Sequence, residues 1–377
     1  MATINPVGPD NIHLETNISA NSAVTSRQLK EGKEMLLEKK MTNLNLEKFT
    51  IRPARMSDLP NAVKLFERCA KAVIGTSDVN PDEVKNEWQA PKFSLQESVR
   101  VVHNRDGQMV GYVEVWDIDV IPVNIWVWLR VHPDYKGQGI GSMLLDWAEK
   151  RASKAIPRVP DDVQVVMEAG TYHIFQHGHV RLINHEMKPI RHFLTMSVEL
   201  DESIPDPSWP EEITVRTMAE GEDPELIIRA VYDAFQDHWG FVQQPFEDSY
   251  ERWSHFIRES EDFDPNLWFL AMDGDEIAGM SLCWPKANED IEMGWVGTLG
   301  VRPPWRKRGL GLALLHHTFG QFAERGQKRV GLGVDGKCLT GATRLYERAG
   351  MNTINNRQFD LYQKVLRQGR DISRQEL

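Results

Sequence analysis

Cysteine is scarce in this sequence: Cys69, Cys283 and Cys338 are the only three in 377 residues, far apart and in no CxxC pairing. That spacing argues against a disulfide framework or a cysteine-rich zinc site. Basic residues are outnumbered, 44 Lys and Arg against 55 Asp and Glu, for a formal net charge of −11. Such a balance speaks against nucleic acid or an anionic membrane as partner, since both select a basic face. No apolar run approaches the roughly 18 residues of a membrane span. The opening MATINPVGPDNIHLE has neither the basic nor the apolar stretch of a secretory signal. The cytoplasm is the expected location.

What is present is a repeat. Residues 1–45 read as a polar extension with helical character only over 28–40. From Phe49 a β run, an Asp58 N-cap signal and a helical apolar spacing (Val63, Leu65, Phe66, Cys69) follow one another. The same order returns from Ile213. Each half then has an Asp-Gly hairpin, at Asp106-Gly107 and Asp273-Gly274. Each closes with an apolar strand, a Gly-rich loop and an apolar helix. Matching landmarks lie about 165–170 positions apart, a duplication at domain scale. The boundaries read from this are an extension (1–45), a first domain (46–200), a Pro-rich acidic linker (201–212) and a second domain (213–370).

The chemistry lies at the Gly-rich loops. Arg306-Lys307-Arg308-Gly309-Leu310-Gly311, continued by Leu312, follows a strand ending at Val301 and opens a helix. Glycines at such a junction let backbone N–H groups and a helix N-terminus hold phosphate oxygens. The first half repeats it after Val131 as Lys136-Gly137-Gln138-Gly139-Ile140-Gly141. Neither copy has the Gly-Lys-Ser/Thr of a Walker loop, and the third Rossmann glycine is missing.

Arg/Gln-x-x-Gly-x-Gly/Ala in this context resembles the pyrophosphate motif of the GNAT acetyltransferases. Arg306, Gly309 and Gly311 match it fully, whereas Lys136 replaces the usual Arg or Gln in the first half. The resemblance covers 49–200 and 213–367, and among tandem members it is similar to the mycothiol synthase type, including His238-Trp239-Gly240. It implies two α/β GNAT folds, each a mixed, mostly antiparallel central sheet flanked by helices. It also implies acetyl-CoA as cofactor, transferred directly to a primary amine of a small molecule or peptide.

Further roles follow from that resemblance. Tyr346, in Leu345-Tyr346-Glu347-Arg348, matches the family tyrosine that protonates the departing thiolate. A phenol of pKa about 10 suits a leaving thiol of about 8–9. The first half aligns either by Arg181-Leu182 or by Glu186-Met187, which sets Leu182 or Ile183 opposite Tyr346. Backbone N–H groups at Leu299, Gly300 and Val301 are the expected donors to the acetyl oxygen. Glu292 is the candidate base, with Asp290 less well placed, although the family base sits nearer Trp295. Asp237, His238 and Trp239 are the candidate acceptor residues. No metal is expected, because the adjacent His316 and His317 point to different helix faces. An internal duplication stands in for a homodimer, so a monomer is expected rather than a dimer. The alternative reading is a non-catalytic acyl-CoA-binding regulatory or interaction protein.

Overall fold

A computed structural model describes residues 48–200, 204–221, 224–337 and 341–373. The extension, the start of the linker and Cys338 lie outside them. In the first half β1 (Phe49–Pro53) leads into α1 (Leu59–Ile74), α2 (Pro81–Trp88) and the single turn α3 (Leu95–Ser98). Strands β2 (Val99–Asn104), β3 (Met109–Trp116) and β4 (Asn124–Val131) precede α4 (Ile140–Ala152), β5 (Val165–Tyr172), α5 (Gln176–Asn184) and β6 (Lys188–Glu199). The hairpin at Gly107 forms as expected, with φ of 78° that glycine tolerates without strain. Asp58 stands at the start of α1 but makes no side-chain cap. Its carboxylate turns back to the Arg52 guanidinium, at 2.7 Å to each oxygen, and to the Arg55 N–H. A two-pronged charged contact outweighs one cap hydrogen bond.

The second half repeats the series with β7 (Ile213–Thr217), α6 (Pro224–Phe235), α7 (Phe246–Glu259), β8 (Trp268–Asp273), β9 (Glu276–Trp284) and β10 (Met293–Val301). Helix α8 (Leu310–Glu324), β11 (Arg329–Asp335), α9 (Ala342–Arg348), the short β12 (Asn352–Thr353) and β13 (Phe359–Arg367) complete it. Among the described residues, no helix is long and apolar enough to cross a membrane.

Sheet order departs from chain order at one place. A single sheet runs β1-β2-β3-β4-β5-β13-β6-β11-β10-β9-β8-β7. The last strand of the second half, β13, lies against β5 of the first, and β6 lies against β11 of the second. The halves therefore trade their final strands, and β13 and β6 meet as antiparallel neighbours at the seam. Among the described strands, β4–β5 and β10–β11 are the parallel pairs. Apolar side chains fill both faces. Phe66 and Leu65 of α1 pack on Tyr112 and Trp128, and Leu144 and Leu145 of α4 on Val113 and Met167. In the second half Ile227 and Val231 of α6 pack on Leu270 and Met280, and Leu315 and Phe319 of α8 on Phe269 and Leu332. Each such side chain contributes about 1.5–3 kcal/mol on burial. Across the halves α2 meets α7, where Asn86 donates to the Glu259 carbonyl at 2.8 Å and His255 reaches the Asn86 carbonyl at 3.0 Å.

Candidate active site

The 306–311 loop is built from two left-handed residues, Lys307 at φ 61° and Gly309 at φ 85°, directly before α8. Left-handed residues just before a helix help turn backbone N–H groups toward one side, and the α8 N-terminus adds its partial positive charge. A phosphate-sized anion suits this cradle. Glycine takes the first kink in the other half, Gly137 at φ 76°, followed by Gly139 at φ 82°. Lys307 pays a conformational cost that glycine avoids, on the order of 1 kcal/mol.

The Arg306 side chain faces inward rather than toward the cradle. Its Nε donates to the Val301 carbonyl at 3.0 Å and its Nη2 to the Ala234 carbonyl at 2.9 Å. Both Nη atoms hold Asp237, one at 3.0 Å. Burial pushes the Asp237 carboxyl up, but hydrogen bonding and charge from Arg306 prevail and leave it below the usual range. Asp237, read from sequence as an acceptor contact, is thus a brace between the end of α6 and the loop. Gly300 permits the approach: a Cβ there would lie 2.8 Å from Met280 Sδ and 3.0 Å from the Phe235 ring.

Beside the loop the sheet opens. The β10–β11 ladder runs from Met293 opposite Arg329 to Val296 opposite Leu332 and ends there. Against β9, β10 carries a bulge between Val296 and Thr298, with Gly297 the extra residue. A Cβ on Gly297 would sit 2.9 Å from Trp284 Nε1. Thr298, Leu299, Gly300 and Val301 therefore form one wall of a wedge, with Gly333, Val334 and Asp335 as the other. The expected backbone donors at Leu299, Gly300 and Val301 lie along this wedge.

Tyr346 is buried on α9 in an apolar cluster with Leu315, Phe319, Leu332 and Val334, against which Leu299 and Leu312 pack. The helix ends settle its counterpart. Met351 N–H donates to the Tyr346 carbonyl at 3.0 Å, and Met187 N–H donates to the Leu182 carbonyl at 3.1 Å. Leu182, not Ile183, therefore stands where Tyr346 does.

Glu292 is not brought to this place. It precedes β10 at the end remote from the loop, about 15 Å from the bulge at strand rise, exposed and paired with Lys328 and Arg329. The hydrogen bond and charge of Lys328 hold its carboxyl below the usual range. Asp290 is tied to Arg329 at 2.8 Å in the same corner. The carboxylate at the wedge is Asp335, at the end of β11, where burial raises its pKa against the pull of the Lys337 N–H and Arg191. The sequence reading missed it because an Asp-Gly pair after a strand looks like turn chemistry. Arg191 Nε lies 3.5 Å from Asp335, and the guanidinium lies 5.0 Å from the Trp239 ring centroid. Trp239 is thereby joined to the wedge through Arg191. His238 packs on Phe235 at 4.6 Å, and burial lowers its pKa.

The corresponding place in the first half is furnished differently. β4 pairs with β3 without a bulge. The Val131 carbonyl accepts from the Cys69 thiol at 3.3 Å, where Val301 accepts from Arg306. Lys136 turns away to the Phe175 ring, 4.9 Å from its centroid. Arg181 lies so close over Gly141 that a Cβ would meet its Nε at 2.7 Å, and the Phe359 ring of β13 covers Gly170.

Comparison with known proteins identifies the family. Residues 59–161 and 228–351 match the acetyltransferase (GNAT) family. A mycothiol acetyltransferase of Streptomyces bingchenggensis is 31% identical over 265 residues, 66% of this chain and 75% of the relative. Another, from Streptomyces coelicolor, is 29% identical across 81% of this chain and 95% of its own length. Among solved structures, a GCN5-related N-acetyltransferase from Sphaerobacter thermophilus superposes with a TM-score of 0.68 at 33% identity, covering 86% of this chain and 97% of that one. A tandem GNAT protein from the clavulanic acid biosynthesis pathway has a TM-score of 0.62 at 13% identity, covering 86% and 100%, a likeness of fold alone.

Proposed function

The chain belongs to the GNAT acetyltransferases, with two copies of the fold in tandem, and we propose that the second copy transfers acetyl from acetyl-CoA to the primary amine of a small molecule. The 307–312 backbone and the α8 N-terminus hold the pyrophosphate, and Arg306 with Asp237 keeps the loop in shape. The thioester arm lies in the wedge between β10 and β11. Backbone N–H groups after the Gly297 bulge polarise the acetyl carbonyl. The neutral amine attacks the carbonyl carbon and its C–N bond forms. Asp335, directly or through water, takes the proton the amine sheds. As the C–S bond breaks, the Tyr346 phenol delivers its proton to the departing sulfur. The first copy keeps the cradle without the phenol and serves as scaffold or as a coenzyme-holding site.

The observation that carries this reading is the pairing of Tyr346 with an open, bulged wedge, set against Leu182 with an unbulged one. The relatives' name makes the amine that a mycothiol acetyltransferase acetylates the first acceptor to test. Thiol release from acetyl-CoA is expected with that amine or a close analogue, and Tyr346→Phe should lose roughly 10²-fold or more in kcat. An unimpaired variant would remove Tyr346 from the mechanism. Coenzyme binding without turnover across a broad amine panel would leave the protein as an acyl-CoA-binding regulator.

A further inference from the structure

Five of the 12 histidines, His173, His177, His179, His185 and His192, fall within 20 positions of sequence. The fold separates them into different environments. His185 turns to Glu149, 3.0 Å away. His173 and His179, from the β5–α5 turn and α5, converge with Asp360 of β13, and one ligand atom from each lies within 4.8 Å of the other two. We propose that His173, His179 and Asp360 bind a divalent transition-metal ion of the zinc class, which staples the traded strand β13 to the first half.

The donor set carries the argument. His173 Nδ1 is 2.7 Å, and His179 Nε2 3.7 Å, from the same Asp360 oxygen, Oδ2. Tetrahedral bonds of 2.0–2.1 Å put ligand atoms roughly 3.4 Å apart, so small rotations centre an ion among the three. His179 Nε2 also lies 2.9 Å from the His173 carbonyl, so an ion held by the trio replaces that hydrogen bond with a metal–nitrogen bond. The supporting shell has the form metal sites require. His179 Nδ1 is 2.7 Å from the Tyr362 hydroxyl, which fixes the ring and leaves Nε2 on the side of Asp360 and the His173 carbonyl, and His192 Nδ1 holds the other Asp360 oxygen at 2.6 Å. More than half of the His173 side chain is exposed, at 56%, so an ion can enter and a water can complete four-coordination. Two imidazoles and a carboxylate suit zinc better than calcium or magnesium, which take oxygen ligands. The sequence reading weighed only His316 and His317 as ligands and did not consider this trio, whose aspartate lies more than 180 positions from its two histidines.

The test is titration of untagged, chelator-treated protein with Zn²⁺, read by calorimetry and melting temperature, with Co²⁺ as a spectroscopic substitute. One ion per chain, a melting temperature raised by several degrees, and a tetrahedral Co²⁺ spectrum are expected. Asp360→Asn should abolish all three. His173→Gln, at an exposed position, should weaken binding at least tenfold if the first variant fails to fold. His185→Ala should change nothing. Absence of stoichiometric binding, or binding equally weakened by His185→Ala and His173→Gln, would overturn the proposal.

Discussion

The two halves have nearly the same backbone and unequal chemistry. Both hold a left-handed pair before a helix, at Gly137 and Gly139 and at Lys307 and Gly309. Both end the following short helix with the same hydrogen bond, from Met187 to Leu182 and from Met351 to Tyr346. They differ in what lines the wedge: an inserted glycine and a phenol in one half, neither in the other. The face behind the wedge differs as well. Buried Glu114 and Glu168 stand at register positions that hold Leu282 and Gly331 in the second half. On the function proposed above, a duplicated fold keeps the geometry of the loop while one residue inserted in a strand and one changed on a helix separate reaction from scaffold.

The hardest blow to that contrast falls on the phenol. Tyr346→Phe is expected to cost roughly 10²- to 10⁴-fold in kcat while acetyl-CoA still binds, and Leu182→Tyr in the first half should restore none of it, since β4 lacks the bulge. Recovery of activity by Leu182→Tyr in a Tyr346→Phe background would show that the halves differ by the phenol alone. Deleting Gly297 should make β10 pair with β9 as β4 pairs with β3. The loss expected is about 10²-fold in kcat, the scale of one misplaced donor to the acyl oxygen. Stopped-flow thiol release from both variants separates chemistry from binding.

The brace behind the loop gives a smaller effect of another kind. Hydrogen bonds to a charged group contribute about 1.5–3 kcal/mol, so Asp237→Asn should raise KM for acetyl-CoA about tenfold and leave kcat nearly unchanged. A fall in kcat with KM intact would return Asp237 to the acceptor side. The buried carboxyls sharpen the contrast through pH. Burial raises Glu168 to about 7, opposed weakly by the Gln363 hydrogen bond. A carboxyl with a raised folded pKa binds its proton more tightly in the native state. The contribution of this carboxyl to stability is therefore full below about pH 4.5 and is lost as pH rises to about 7. Glu168→Gln should flatten that decline, seen as a melting temperature several degrees above wild type at pH 8 and close to it at pH 5.

Much of this was written locally in the sequence. The Asp-Gly hairpins, the cradle and the α9 tyrosine depend on residues within a few positions of one another, and each forms where its residues predict. Even the bulge leaves a trace, since the spacing from Trp295 to Pro303 is one residue longer than from Trp126 to Pro133. The rest depended on contacts the chain makes at long range. Strand β13 reaches β5 from almost 200 positions away, and nothing in its alternation says which neighbour it takes. Asp237 finds Arg306 across 69 positions, a partner that its aromatic surroundings in the sequence did not suggest. Glu292 reads from sequence as the candidate base although the family base sits nearer Trp295, and the structure pairs it with Lys328 and Arg329 at the end of β10 remote from the loop.

The smallest expected effect falls where the two cradles differ by one residue. Gly137 takes its left-handed φ freely, whereas Lys307 does so against a steric cost of on the order of 1 kcal/mol. Lys307→Gly removes that cost but adds freedom to the unfolded chain, about 0.5–1 kcal/mol in the opposite sense. The net change in melting temperature should be within a degree or two. Strain kept at such a place needs an offsetting gain, and the exposed ammonium beside a phosphate cradle supplies one. Lys307→Gly should accordingly raise KM for acetyl-CoA a few-fold, more at low salt than at high, because an exposed charge acts through screened attraction. A KM that does not move at any ionic strength would mean that the side chain is incidental. The two cradles would then be equivalent, and the difference between the halves would rest on the wedge alone.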